Sequence, residues 1–101
     1  MPSELSQNHK YYDAIDEDYG RINVKSMKIS EAGNWSWNLL EESKELDSYA
    51  LVYMDDDRDP LGMFLIKISD LKNNKLPPEL EKRKRKKGVA ILLRGHKLLE
   101  N

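Results

Sequence analysis

The chain has 101 residues, with 17 Lys and Arg against 18 Asp and Glu, so it is long enough for one small domain and its net charge of −1 selects no partner. It has no cysteine and only two histidines, which excludes a disulfide framework, thiolate zinc sites and a histidine-rich metal centre. No apolar run is long enough to span a bilayer and the first ten residues carry no signal-peptide core, so a cytoplasmic protein is the expectation.

Residues 1–10 are polar and read as a flexible tail. Tyr11 to Ser26 then reads as a β-hairpin. From Arg21 to Ser26 the residues alternate, so Ile22 and Val24 share one face while Asn23 and Lys25 share the other. The acidic segment Asp16 to Gly20 provides the turn before it. An aspartate on the first strand, Asp13, can then stand beside Lys25 on the second. Carboxylate oxygens hold divalent cations, and a nearby ammonium can steady a phosphate or an attacking water.

Gly33-Asn34 marks a turn, and Trp35 and Trp37, two residues apart, share one face of an extended segment and read as core. Ser48 to Met54, a run of β-branched, aromatic and apolar residues after Ser48, reads as the strongest strand in the chain. The run Asp55-Asp56-Asp57 belongs to a loop that lacks the spacing of an EF-hand, and it is read as a solvated hairpin turn without a metal. Leu61 to Ile68 returns as a partner strand, followed by a helical turn capped by Ser69. A basic helix is expected over 78–87, opened by Pro78 and ended by Gly88, before a short apolar strand from Val89 to Leu93. His96 and His9 have no nucleophile arranged with them and suggest no catalytic triad.

The hairpin residues resemble the PD-(D/E)xK nuclease superfamily, in its restriction-endonuclease-like branch. The match runs through Asp13-Ala14, the acidic turn, Gly20-Arg21-Ile22 and Asn23-Val24-Lys25-Ser26. The resemblance implies Asp13 as metal ligand, Asn23 at the second ligand position, the Val24 carbonyl as a further ligand, and Lys25 as the catalytic lysine. It implies Mg²⁺ or Mn²⁺ as cofactor. The chain departs from the pattern at Asn23, where the family carries Glu, Asp or Gln. Such endonucleases often cut two strands as pairs, so DNA and a second copy of the chain are the expected partners. The fold implied is α+β: a mixed or antiparallel sheet of four or five strands with flanking helices, occupying residues 1–101 as one restriction-endonuclease-like domain.

Lys82, Arg83, Lys84, Arg85, Lys86 and Lys87 are six consecutive cations. Spread around a helix they would make a positive knob suited to DNA phosphates. A solvated charge run is the alternative. Two other functions stay open at this point. One is a catalytically inactive nucleic-acid-binding or protein-interaction module of the same fold, and the other is an unrelated α+β interaction protein with complementary acidic and basic surfaces.

Overall fold

Alternation along three segments builds the core. Trp35, Trp37 and Leu39 are buried on one strand, Val89, Ile91 and Leu93 on a second, and Tyr49 and Leu51 on a third. The computed structural model describes residues 12–42 and 44–96. Within them the order is β1 (Ala14–Asp16), β2 (Gly20–Lys28), β3 (Asn34–Leu39), β4 (Ser48–Met54), β5 (Pro60–Lys67), helix α1 (Ile68–Lys72), β6 (Leu80–Lys84) and β7 (Val89–Arg94). No helix among these residues is long and apolar enough to cross a membrane.

Two sheets share that core. One has the order β1-β2-β4-β5 and the other β3-β7-β6. In the first, β1 and β5 run antiparallel to their neighbours, while β2 and β4 are parallel, with Ile22 opposite Ser48 and Lys28 opposite Met54. A parallel pair needs a long crossover, and here the crossover is β3, which lies in the opposite sheet. Core residues from both sheets and from α1 (Ile68 and Leu71) form one cluster. The Trp35 indole N–H donates to the Met54 carbonyl at 2.8 Å, tying the second sheet to the end of β4. The Tyr49 hydroxyl crosses the same space, donating to the Leu40 carbonyl and accepting from the Leu40 N–H. Burial pushes the Tyr49 phenol above its ordinary pKa.

The expected α+β class is therefore corrected. The protein is mostly β, and where flanking helices were expected to cover one mixed sheet, a second sheet does so. The basic helix over 78–87 is likewise replaced by β6 and a turn. A helix there would have had no apolar face beyond Leu80, and like charges three and four residues apart would have crowded its surface. As a strand, the segment pairs with β7, placing Leu80 opposite Leu93 and burying it in the core. Gly88 sits in the turn with φ +83°, and a Cβ there would run into the Leu39 carbonyl. α1 starts one residue before Ser69, with Lys67 at the cap position and no side-chain cap. The tail over 1–10, with His9, lies outside the described residues.

Leu51 is fully buried between the sheets. Leu51→Ala is expected to cost about 2–5 kcal/mol, read as a lower urea midpoint with an unchanged slope.

Candidate functional site

The β1–β2 turn is built by its own side chains. Asp16 Oδ2 accepts from the backbone N–H groups of Asp18 and Tyr19 at 2.8 and 3.0 Å, an Asx-type turn. Gly20 follows with φ +72°, and a Cβ there would strike the Asp47 carboxylate. That carboxylate accepts from the Arg21 backbone N–H at 2.8 Å and from Arg21 Nε at 3.0 Å, while the Asp47 N–H donates to the Arg21 carbonyl at 2.9 Å. The guanidinium holds the Asp47 carboxyl below its ordinary pKa. The start of β2 is thereby locked to the segment that leads into β4.

On this frame Ala14 stands opposite Ile22. Period-two alternation puts Asn23 and Lys25 on one face of β2, level with Tyr49 and Leu51 of β4, while Asp13 stands just before β1 and outside its paired register. Asp13 and Lys25 are exposed and Asn23 is half-buried. The Asp13 N–H donates to the Ile22 carbonyl at 2.7 Å, and Asp13 Oδ2 accepts from the Val24 N–H at 2.8 Å. A strand residue aims its N–H and C=O to the same side of the strand. The Val24 carbonyl therefore points toward the side from which the Asp13 carboxylate approaches, past the end of β1. The hairpin edge thus brings together an exposed carboxylate and the Val24 strand carbonyl, with Lys25 exposed further along β2, while the Asn23 amide oxygen is buried on the side shared with Tyr49.

The oxygen donors are hard and fit Mg²⁺, which keeps several waters and commonly takes one or two carboxylates alongside substrate phosphate. The set carries the charge of only one carboxylate. A second cation candidate lies elsewhere: Asp55, Asp57 and Asp59 each offer a ligand oxygen within 4.8 Å of the others. There Asp55 Oδ1 already accepts from the Asp57 and Asp59 N–H groups, both at 2.9 Å, so the loop explains the cluster without an ion.

The six-cation run divides by strand parity. Lys82 and Lys84 stand opposite Ile91 and Val89, on the core-facing side, whereas Arg83 stands opposite Ala90 on the outer face. Lys82 is only 17% exposed, and its ammonium donates to Glu41 Oε2, to the Leu71 carbonyl at 2.8 Å and to Asn74 Oδ1 at 2.9 Å. All three of its N–H groups are used. Lys84 reaches the other Glu41 oxygen at 3.1 Å but stays largely in solvent. Arg83, Arg85, Lys86 and Lys87 are exposed around the turn, where the Arg85 N–H donates to the Gly88 carbonyl, and with Asn38 they border a shallow groove of about 720 Å³. A wider cleft of about 830 Å³ lies between the β1–β2 turn and α1, lined in part by Glu17, Asp18, Asp47 and Lys72. It includes neither the Asp13–Lys25 face nor the basic turn.

Glu41 is the residue that sequence reasoning missed. Its partners lie 41 and 43 residues away, so no local pattern announces it. No protein-family model matches the chain, and no curated protein matches it.

Hydrogen bonds from Lys82 and Lys84 hold the Glu41 carboxyl below its ordinary value of 4.5. A depressed carboxylate contributes stability that is complete above the unfolded-state value and is lost as pH falls through the folded one. Stability should therefore decline from about pH 5 toward pH 3, and Glu41→Gln should flatten part of that decline while lowering stability at neutral pH. Urea midpoints across this range for both proteins check the sign.

Proposed function

We propose that this protein hydrolyses DNA phosphodiester bonds with Mg²⁺ at the β1–β2 face. The observation that carries the reading is the Asp13–Val24 hydrogen bond just before β1, which brings a carboxylate to the strand edge where the Val24 carbonyl also points, with Lys25 next along β2. A divalent cation held there would stabilise the charge that develops on the scissile phosphate. Asp13 supplies the one charged ligand oxygen. Asn23 would add a neutral side-chain oxygen only by turning its buried amide outward to the ion. The Lys25 ammonium donates hydrogen bonds to a phosphate oxygen or to the attacking water, orienting it in line. The exposed cations Arg83, Arg85, Lys86 and Lys87 hold the flanking backbone through phosphate contacts that carry no sequence information.

Plasmid nicking in Mg²⁺ or Mn²⁺ tests this directly. Asp13→Ala and Lys25→Ala should each lose about 100-fold or more in rate while staying folded. Asn23→Asp adds a second ligand charge and should lower the metal concentration needed. Unchanged cleavage in Lys25→Ala would remove that lysine from the mechanism.

A second reading, binding without cleavage, is favoured by the neutral amide at Asn23 and by the exposed basic turn. It predicts intact plasmid together with a gel shift that weakens as salt rises and disappears in Arg85→Ala/Lys86→Ala/Lys87→Ala.

A further inference from the structure

Charge alone would make the basic turn a diffuse cloud, but strand register gives it a shape. On the outer face of the second sheet, Ala90 of β7 stands between Asn38 of β3 and Arg83 of β6. Only a methyl group separates the two longer side chains. Ala90 is nevertheless 3% exposed, so its neighbours close over it. One row further along, Leu92 stands between Ser36 and Glu81, and Glu81 is committed to Arg94 at 3.1 Å. The groove bordered by Asn38 and residues 83–87 does not extend to that row.

The polar groups of this groove are uncommitted. Arg83, Arg85, Lys86 and Lys87 have no carboxylate partner among the described residues, and no carboxylate borders the groove. Lys84 also lines it but is held by Glu41. The Asn38 carboxamide makes no hydrogen bond among the described residues. Asn34, on the same face of β3, differs: its Oδ1 accepts from the Gly95 N–H at 3.3 Å. The setting is also fixed. The Arg85 N–H donates to the Gly88 carbonyl at 3.1 Å, and Gly88 packs without a side chain against the Leu39 carbonyl at the end of β3. The turn is thereby pinned beside Asn38.

We propose that Asn38 and Arg83 clamp one backbone phosphate of a bound nucleic acid over Ala90, making the basic turn a registered phosphate site. The inference rests on the reading of that turn as a nucleic-acid contact and adds to it a residue without charge. The guanidinium offers a planar fork of N–H groups to one side of the phosphate. The Asn38 amide N–H donates to an oxygen on the other side. Arg85, Lys86 and Lys87 meet the neighbouring phosphates. Four unpaired cations among residues 83–87 match a partner whose anions are as closely spaced as those of a nucleic-acid backbone. Asn38 releases no counterion, so its contribution is hydrogen bonding alone.

Binding of a short fluorescent DNA duplex by the full chain in EDTA, followed across a salt series, separates shape from charge. Asn38→Ala should weaken binding on the order of tenfold with the log–log salt slope unchanged. Ala90→Val, which adds bulk between the clamp residues, should also weaken binding at unchanged slope. Arg83→Ala should weaken it and flatten the slope by about 0.9. Ser36→Ala, one row away, should bind as wild type. Near-UV circular dichroism should be the same for all four variants. Wild-type affinity in both Asn38→Ala and Ala90→Val would overturn the clamp and leave a diffuse patch. So would equal affinity for a poly-glutamate tract of matched charge, or no duplex binding at low salt. Failure of the nuclease reading has a separate signature: plasmid left intact in Mg²⁺ and Mn²⁺ while the binding profile above, and the clamp with it, stands.

Discussion

The contact between Glu41 and Lys82 anchors the edge strand of the second sheet to the rest of the fold. β7 buries Val89, Ile91 and Leu93 and needs a strand on each side to satisfy its backbone. The segment available on one side is basic, and pairing it places Lys82 on the core-facing side beside Ile91. An ammonium drawn partly out of water has to be paired and hydrogen-bonded in compensation. Glu41, the Leu71 carbonyl and Asn74 meet all of that demand and join the loop before β4, helix α1 and β6 in one place. With β6 seated, Leu80 enters the core and the outward cations are gathered at a stiff turn rather than spread over a helix.

The β1–β2 hairpin rests on a different anchor of the same kind. Arg21 and Asp47 exchange side-chain and backbone hydrogen bonds where β2 and β4 begin their parallel pairing. Ser48, fully buried, donates from its hydroxyl to the Tyr19 carbonyl at 2.6 Å and adds a second tie to the turn. Asn23 and Lys25 are therefore mounted on a strand held along β4 and tied to Asp13 through the Val24 N–H. Preorganisation of this sort lets a few exposed side chains act together, since their spacing does not have to be found anew for each ligand.

Strand content was legible wherever apolar residues were frequent. SYALVYM reads as a strand and forms β4 over the same residues, and LGMFLIK forms nearly all of β5. The shared face of Trp35 and Trp37 was legible from their spacing, as was that of Asn23 and Lys25. The second sheet was not. Its β6 is mostly charged, and the proline and lysine positions that suggested a helix suit a strand followed by a turn with Gly88 at positive φ equally well. What decides between them is the distant demand of β7, which a reading of local pattern cannot weigh. The Asp13–Val24 hydrogen bond was equally hidden, because it depends on how the chain bends before β1. The placement of Asn38 and Arg83 on either side of Ala90 follows from strand order, a property of topology.

Cation binding at the hairpin face is the claim on which the functional account turns, and the Asp55–Asp59 loop is its natural competitor for the same ion. Backbone amide NMR with substoichiometric Mn²⁺, which broadens signals near a bound ion, separates the two sites in one titration. The account predicts broadening centred on Asp13, Asn23, Val24 and Lys25, and its loss in Asp13→Ala. Broadening confined to Asp55, Asp57 and Asp59, or absent from the hairpin at every Mn²⁺ concentration, would contradict it.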